Sequence, residues 1–182
     1  YRHLSGTSIE VIAKVENQFG LDNLESIVEN SFGIMIDRGD LGAETKISNI
    51  PLMQKRIIKA ANKYGKPVIV ATEMLHTMIE NPFPTKSEVN DIANAVLDGA
   101  SALMLSGETA VGDYPFEACR LMQEVAIVTE NTLTPCQNFN AQFKNTSSSV
   151  AQCIGLASAR LDITKILAVT FSGFSARMIA LQ

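Results

Sequence analysis

The sequence predicts an α/β fold in which four consecutive βα units form part of a (β/α)8 barrel. Four short apolar segments, 9–15, 33–37, 67–72 and 101–105, are rich in Ile, Val, Leu and Met, as strands buried on both faces usually are. Helical segments lie between them, and each strand segment ends in charged or hydroxyl side chains. Because the active sites of barrel enzymes are built at the carboxyl ends of the strands, this pattern predicts an enzyme site.

Start and stop signals predict a helix after each strand segment. Pro51 begins the second of these helices and Gly65 ends it. Thr85 and Glu88 form a T-x-x-E capping box for the third, and Pro115 begins the fourth. The predicted helices are 24–29, 51–65, 85–99 and a segment from 115 onward. Helical periodicity predicts the following inward-facing positions: Leu52, Ile57, Ile58 and Ala61 in the second helix, and Ala118, Met122, Val125 and Ala126 in the fourth.

A change of composition near Thr132 divides the chain. Residues 1–133 would form the carboxyl-terminal half of a barrel, and residues 134–146 are polar and aperiodic, which is typical of a linker. Residues 147–182 are predicted to begin a second α/β domain, in which Ser147 or Ser148 caps a helix that ends at Arg160 and KILAVTF, 165–171, begins a strand. Four βα units are too few to close a barrel, so we expect this chain to be a segment of a larger protein.

The overall composition restricts the function classes. The 182 residues are 46% hydrophobic and 19% charged with a net charge of −4, so no broad basic surface is implied and nucleic acid is not an expected partner. No apolar stretch approaches the ~20 residues of a membrane span. Cys119, Cys136 and Cys153 show no C-x-x-C spacing, which favours reduced thiols in a cytoplasmic protein.

The first two strand ends carry groups suited to a metal and a phosphoryl group. Lys14 and Glu16 are two residues apart, so their side chains share one face of the first strand. Asp40 follows Gly39 in a turn whose backbone N–H groups could bind a carboxylate or phosphate. Glu16 and Asp40 could share Mg²⁺, which often takes only one or two protein carboxylates. The alternatives are a structural Lys14–Glu16 pair and an ordinary turn aspartate.

The next two strand ends carry hydroxyls. Thr72 and Ser106 could bind phosphate or relay a proton, or they could only cap helices. Glu108 could hold the residues of the site in position without itself contacting a ligand. Glu73 and Asp37 are further nearby acids, and the sequence assigns neither of them a role.

Three segments resemble a known family: IAKVENQFGLDNL, GIMIDRGDLGAE and the run from GKPVIVATEM to SGETAVGDYP. Together they resemble the pyruvate kinase family over nearly the whole chain. The resemblance implies phosphoryl transfer from phosphoenolpyruvate to ADP, giving pyruvate and ATP. It also implies Mg²⁺ or Mn²⁺, K⁺ bound by ligands outside this chain, and a homotetramer at full length.

The resemblance implies roles for individual residues of the first two strand ends. Lys14 is similar to the lysine that stabilises the phosphoryl group during transfer. Glu16 and Asp40 are similar to the two protein ligands of Mg²⁺, and the Gly39 and Asp40 amides to the seat of the substrate carboxylate. Asp37 stands where many members have Ala, and this departure removes none of the implied groups.

At the later strand ends, Thr72 resembles the threonine near the substrate phosphate and enolate, and Ser106 resembles its partner in a proton relay. Towards the end of the chain, Thr170, Ser172 and Ser175 resemble the phosphate loop of an allosteric site, although they could also form an ordinary turn. The neighbouring Phe171 and Phe174 stand where some members carry basic residues. That departure leaves sugar phosphates other than fructose 1,6-bisphosphate, or AMP, as candidate effectors.

Two other readings remain open at this level. A carbon–carbon lyase of the phosphoenolpyruvate/pyruvate superfamily would also hold Mg²⁺ with a Glu and an Asp at strand ends. A non-catalytic fragment could instead bind a phosphorylated metabolite or assist assembly. Because the first barrel half and the lid domain of the family are absent from this sequence, we expect the 182-residue chain alone to be inactive.

Overall fold

A computed structural model describes residues 9–133, 146–171 and 173–180. The strands assigned in these ranges are β1 (Ile12–Val15), β2 (Gly33–Asp37), β3 (Val68–Ala71) and β4 (Ala102–Met104). The helices are α1 (Gln18–Asp22), α2 (Leu24–Asn30), α3 (Arg38–Glu44), α4 (Ile50–Lys63), α5 (Lys86–Leu97), α6 (Gly107–Ala110), α7 (Pro115–Glu130), α8 (Thr146–Arg160) and α9 (Phe174–Ala180), with 3-10 turns at Ile47–Asn49 and His76–Ile79.

The strands form one parallel sheet in the order β1-β2-β3-β4. Each strand pairs with the next in sequence; Lys14 lies opposite Met35 and Asp37 lies opposite Ala71. The helices supply the crossover connections that parallel pairing requires. The predicted succession of βα units is therefore confirmed, and its register brings successive strand ends to one edge of the sheet.

The strand boundaries differ slightly from those predicted. β2 spans the predicted residues 33–37, whereas β1, β3 and β4 are shorter than their apolar segments. β3 ends at Ala71 because Thr72 has a φ of 66°, a left-handed conformation that cannot continue a strand. This turn changes the direction of the chain where the predicted site begins.

The hydrophobic core lies between the sheet and the helices that cover it. Ile36 of β2 and Ile57, Ile58 and Ala61 of α4 are fully buried. The prediction that Leu52 belongs to the same buried stripe was wrong, because its side chain is 67% exposed. Ile57 lies five positions after Leu52, which at 3.6 residues per turn places the two side chains about 140° apart around the helix. The predicted inward face of α7 is buried at Ala118 and Met122.

The predicted capping box at the start of α5 is confirmed. The Thr85 hydroxyl accepts a hydrogen bond from the Glu88 amide at 3.2 Å, and the Glu88 carboxylate accepts one from the Thr85 amide at 2.7 Å. The same carboxylate accepts hydrogen bonds from the Thr77 amide and hydroxyl. Glu88 therefore joins the 3-10 turn after β3 to the start of α5.

Glu88 should stabilise the fold in a pH-dependent way. Burial raises its pKa, but the hydrogen bonds from Thr77 and Thr85 outweigh burial and hold the pKa below its ordinary value of 4.5. Since the folded-state pKa is the lower one, the stabilisation is present above pH 4.5 and is lost as the pH falls through the folded value. We expect Glu88→Gln to reduce the free energy of unfolding by about 1 kcal/mol at pH 7, with a smaller difference below pH 4.5.

Urea unfolding of both proteins at several pH values measures this difference. Glu124→Gln, at an exposed position of α7, serves as the control. A wild-type minus Glu88→Gln difference that stayed constant from pH 7 to pH 3 would contradict the assignment.

After the gap in the described residues, α8 and α9 pack against each other. The predicted helix from Ser147 or Ser148 to Arg160 is confirmed, although α8 begins earlier, at Thr146. The predicted strand at 165–171 was wrong: the segment has no strand assignment, and Leu167 and Val169 are each 94% exposed. A strand needs a neighbour for its backbone hydrogen bonds, and none lies beside this segment within the described ranges. Most of the predicted linker, 134–145, lies outside them.

The Arg177 guanidinium of α9 lies 5.0 Å from the centre of the Phe32 ring, which connects α9 to the residue before β2. Cys119 and Cys153 are exposed and form no disulfide within the described residues, and Cys136 lies outside them. None of the described helices has the length and apolar character needed to cross a membrane.

Candidate functional site

The ends of β1 and β2 bring one ammonium group against three carboxylates. Lys14 Nζ lies 2.7 Å from Glu16 Oε2, 2.8 Å from Asp37 Oδ2 and 3.2 Å from Asp40 Oδ2. The predicted grouping of Lys14 with Glu16 and Asp40 is therefore present in the fold. Parallel pairing of β1 with β2 explains it, because both strands end at the same edge of the sheet.

Asp37 belongs to this cluster, although the sequence assigned it no role. It is the last residue of β2 and the N-cap of α3, and it is 8% exposed. Its Oδ1 accepts a hydrogen bond from the Asp40 amide at 3.4 Å and lies 3.1 Å from the Thr72 hydroxyl. Burial raises the pKa of Asp37, but hydrogen bonds from Lys14, the Asp40 amide and Thr72 hold that pKa below its ordinary value. Its position at a strand end was the signal that could have revealed it.

The electrostatics of the cluster favour a charged lysine. Hydrogen bonds to Asp37, Glu16 and Asp40, in that order of importance, raise the pKa of Lys14 above its ordinary value. The ammonium is therefore positively charged throughout the physiological range. Lys14 remains 44% exposed, so it is accessible to a ligand as well as to the carboxylates.

The three carboxylates could hold a divalent metal ion. Glu16, Asp37 and Asp40 each offer an oxygen, and these oxygens lie within 4.8 Å of one another. One ammonium among three carboxylates leaves a surplus of two negative charges, and oxygen ligands are those that Mg²⁺ prefers. The residues present therefore fit Mg²⁺ in both charge and donor type.

Thr72 follows β3 and is held beside the cluster by its hydroxyl. Thr72 Oγ1 accepts a hydrogen bond from the Gly39 amide at 2.9 Å, and its proton can go to Asp37 Oδ1 at 3.1 Å or to the Ala71 carbonyl at 2.7 Å. The fold thus places Thr72 against the turn that carries Asp40. The Gly39 and Asp40 amides, predicted to seat a substrate carboxylate, already donate to Thr72 and Asp37, so a bound carboxylate would have to replace these acceptors.

Arg38 is a second residue whose place in the site the sequence did not reveal. It is 5% exposed and begins α3. Its guanidinium donates hydrogen bonds to the Thr72 carbonyl at 2.7 and 3.2 Å and to the Glu73 carbonyl at 3.0 Å. It also forms an ion pair with Asp91 of α5 at 2.6 Å. No local pattern in the sequence indicates these distant partners.

Ser106 follows β4 and precedes α6. Its amide donates a hydrogen bond to Glu108 Oε2 at 2.8 Å, and Glu108, 2% exposed, also accepts one from the Leu75 amide at 3.4 Å. The buried Glu108 therefore ties the Ser106 turn to the segment after β3. The Ser106 side chain makes no capping hydrogen bond to α6, and its relay with Thr72 stays a prediction.

The predicted effector loop is described only in part. The Thr170 hydroxyl accepts a hydrogen bond from the Gly173 amide at 3.1 Å, which forms a local turn. Ser175 is the second residue of α9, and Ser172 lies outside the described residues. A phosphate site at this loop stays a prediction.

Comparison with known proteins identifies the family. The family model for the pyruvate kinase barrel domain matches residues 2–119. The chain belongs to the pyruvate kinase family. The matched range contains all four strands and the candidate residues Lys14, Glu16, Asp40, Thr72 and Ser106.

Curated pyruvate kinases show the extent of the match. The chain is 46% identical over 180 residues to the pyruvate kinase of Bacillus licheniformis, covering 97% of this chain and 31% of that protein. It is 44% identical over 179 residues to the pyruvate kinase of Clostridium acetobutylicum, covering 96% of this chain and 38% of that protein. The chain therefore spans about a third of the length of these relatives.

A solved structure agrees with the fold. The crystal structure of a pyruvate kinase from Cryptosporidium parvum superimposes with a TM-score of 0.90 at 36% identity, covering 99% of this chain and 38% of that one. The expected α/β fold and the membership of the pyruvate kinase family are thus confirmed.

Proposed function

We propose that this chain supplies part of the active site of a pyruvate kinase, which transfers the phosphoryl group of phosphoenolpyruvate to ADP and gives pyruvate and ATP. The observation that carries the proposal is the Lys14 ammonium held 2.7–3.2 Å from three carboxylates at the ends of β1 and β2. Phosphoryl transfer requires mainly charge neutralisation and alignment, and this cluster offers fixed charges of both signs. Family membership supports the same reaction.

Lys14 is the proposed phosphoryl-binding cation. Its raised pKa keeps it protonated, and its partial exposure leaves it accessible to the transferring group. When the substrate displaces a carboxylate partner, the ammonium can donate its hydrogen bonds to phosphoryl oxygens instead. A fixed cation at this position offsets the negative charge that otherwise repels the incoming ADP.

Glu16 and Asp40 are the proposed protein ligands of Mg²⁺ or Mn²⁺, and Asp37 offers a third carboxylate oxygen beside them. A bound divalent ion supplies Lewis-acid polarisation of substrate oxygens. The ligands of K⁺ are expected outside this chain. The Gly39 and Asp40 amides are the proposed seat of the substrate carboxylate.

Thr72 and Ser106 are proposed to hold and move a proton near the enolate that remains after phosphoryl transfer. The Thr72 hydroxyl accepts from the Gly39 amide, so its own proton points to Asp37 or to the Ala71 carbonyl. The enolate needs only a proton on carbon, so a relay through hydroxyls and water would suffice and no histidine is required.

We expect residues 1–133 to belong to the catalytic barrel, 134–146 to be a linker and 147–182 to begin an allosteric domain. Thr170, Ser172 and Ser175 would contribute to a phosphate site for a sugar phosphate or AMP. A cytoplasmic homotetramer is the expected assembly at full length.

A lactate-dehydrogenase-coupled assay tests the proposal on two proteins. One is the 182-residue chain, which we expect to be inactive because it covers about a third of its relatives' length. The other is a hybrid enzyme, in which the chain replaces the segment that it matches in the Bacillus licheniformis pyruvate kinase. We expect the hybrid enzyme to form ATP from phosphoenolpyruvate and ADP in the presence of Mg²⁺ and K⁺.

The outcomes separate the candidate functions. A hybrid enzyme that folds, as judged by circular dichroism and melting, but forms no ATP would contradict the proposal. Aldol cleavage by the hybrid enzyme without ADP-dependent ATP formation would favour the lyase. Ordinary turnover by the 182-residue chain would refute the expectation that it is incomplete as a catalyst.

A further inference from the structure

The backbone turn that carries Thr72 has an unfavourable conformation. Thr72 and Glu73 have φ values of 66° and 54°, in the left-handed region that glycine adopts readily and other residues rarely do. A β-branched residue such as threonine is especially rare there. Conformations of this kind persist only when surrounding groups hold them in place.

Arg38 holds both residues by their carbonyl groups. Its Nε and Nη2 donate to the Thr72 carbonyl at 3.2 and 2.7 Å, and Nη2 also donates to the Glu73 carbonyl at 3.0 Å. We propose that Arg38 is a positioning residue, which keeps Thr72 and Glu73 left-handed and thereby directs the Thr72 hydroxyl into the site. The inference rests on the proposed function, in which Thr72 takes part in the reaction.

Arg38 is itself fixed by partners on two helices. Its Nη1 pairs with Asp91 Oδ2 of α5 at 2.6 Å and lies 3.4 Å from Gln54 Oε1 of α4. Because the guanidinium is almost fully buried, these partners are needed to compensate for its desolvation. The side chain therefore has one well-defined position, which makes it a rigid support for the turn.

Three consecutive residues hold Thr72 from different sides. Asp37 Oδ1 faces the Thr72 hydroxyl at 3.1 Å, the Arg38 guanidinium binds the Thr72 carbonyl, and the Gly39 amide donates to Thr72 Oγ1 at 2.9 Å. The side chain and the backbone of Thr72 are thus fixed separately. Loss of the Arg38 contact should release the backbone and move the hydroxyl while leaving the metal ligands in place.

Arg38→Lys in the hybrid enzyme tests the role in catalysis. Lysine keeps the charge but cannot donate in a fork to two carbonyls. We expect kcat to fall by roughly 10- to 100-fold, the size of effect expected when a reacting group is misplaced by about 1 Å, with little change in KM for phosphoenolpyruvate. The control is Arg56→Lys, because Arg56 also donates to a backbone carbonyl, that of Leu21 at 3.1 Å. We expect this substitution to leave kcat unchanged.

Rescue by glycine distinguishes positioning from a general structural effect. We expect Glu73→Gly to restore the kcat of the Arg38→Lys enzyme to within about threefold of the unmodified hybrid enzyme, because glycine adopts a φ near 54° without help. Glu73→Ala removes the same carboxylate but keeps the Cβ atom, so it should not restore kcat. Equal effects of Gly and Ala, or an Arg38→Lys enzyme with unchanged kcat, would overturn the inference.

Hydrogen exchange on the 182-residue chain gives a readout independent of turnover. The Gly39 amide is protected by Thr72 Oγ1, so Arg38→Lys should speed its exchange by roughly tenfold or more, and Glu73→Gly, but not Glu73→Ala, should reverse this. The Thr45 amide, bonded to the Leu41 carbonyl, should exchange as before and so reports any general unfolding. An inactive hybrid enzyme counts against the proposed function, whereas unchanged Gly39 exchange in Arg38→Lys overturns this inference.

Discussion

Lys14→Gln should lower the kcat of the hybrid enzyme by roughly 10³-fold or more, since a cation placed on a transferring phosphoryl group contributes factors of this order. Among the described residues, the Lys14 ammonium is the positive charge that contacts Glu16, Asp37 and Asp40, and the substitution leaves these carboxylates without it. Steady-state kinetics with phosphoenolpyruvate and ADP measure the loss. The remaining activity should not recover when the substrate concentration is raised, because the loss is in the transition state.

Lys63→Gln is the matched control for this substitution. Lys63 forms an exposed ion pair with Glu25 at 3.4 Å. We expect Lys63→Gln to leave kcat unchanged. Lys14→Arg keeps the positive charge but replaces the compact ammonium with a planar guanidinium. We therefore expect activity between that of Lys14→Gln and that of the unmodified hybrid enzyme. If Lys14→Gln kept kcat within about tenfold, a central part in phosphoryl transfer could not be maintained.

Ile57→Ala should reduce the free energy of unfolding by about 2–5 kcal/mol, because it leaves a cavity in a fully buried part of α4. Leu52→Ala removes a side chain of the same size from the same helix, but from an exposed position, and should cost less than about 0.5 kcal/mol. Urea unfolding of the two variants measures the contrast. Similar losses at both positions would mean that α4 faces the sheet differently from the arrangement described above.

The strand-end pattern predicted which residues of the candidate site lie together, because parallel strands end at one edge of the sheet. Once four βα units are recognised, Lys14, Glu16, Asp40 and Thr72 must approach one edge of the sheet. The role of Arg38 could not be predicted in this way, because its partners Thr72 and Asp91 lie 34 and 53 residues away. Burial of the arginine and the left-handed turn that it holds appear only in three dimensions.

The missing role of Asp37 and the two wrong predictions, Leu52 and the 165–171 strand, also have physical causes. Asp37 shares the strand-end position of the predicted residues, but an acidic residue that caps a helix and one that binds a lysine look the same in sequence. Leu52 lies at an approximately helical spacing from the buried residues of α4. Its angle around the helix axis, about 140° from Ile57, nevertheless places its side chain in solvent. The 165–171 segment has the composition of a strand, but composition does not supply a neighbouring strand.

The order of the strands also has a consequence during protein synthesis. Each strand after β1 pairs with the one translated just before it. A nascent chain can therefore bring Lys14, Asp37 and Thr72 together once β3 has left the ribosome, before α5 has emerged from it. Asp91, which anchors Arg38, is translated later. The charged cluster can thus assemble early, while Arg38, which binds the Thr72 carbonyl, gains its Asp91 partner only when α5 docks.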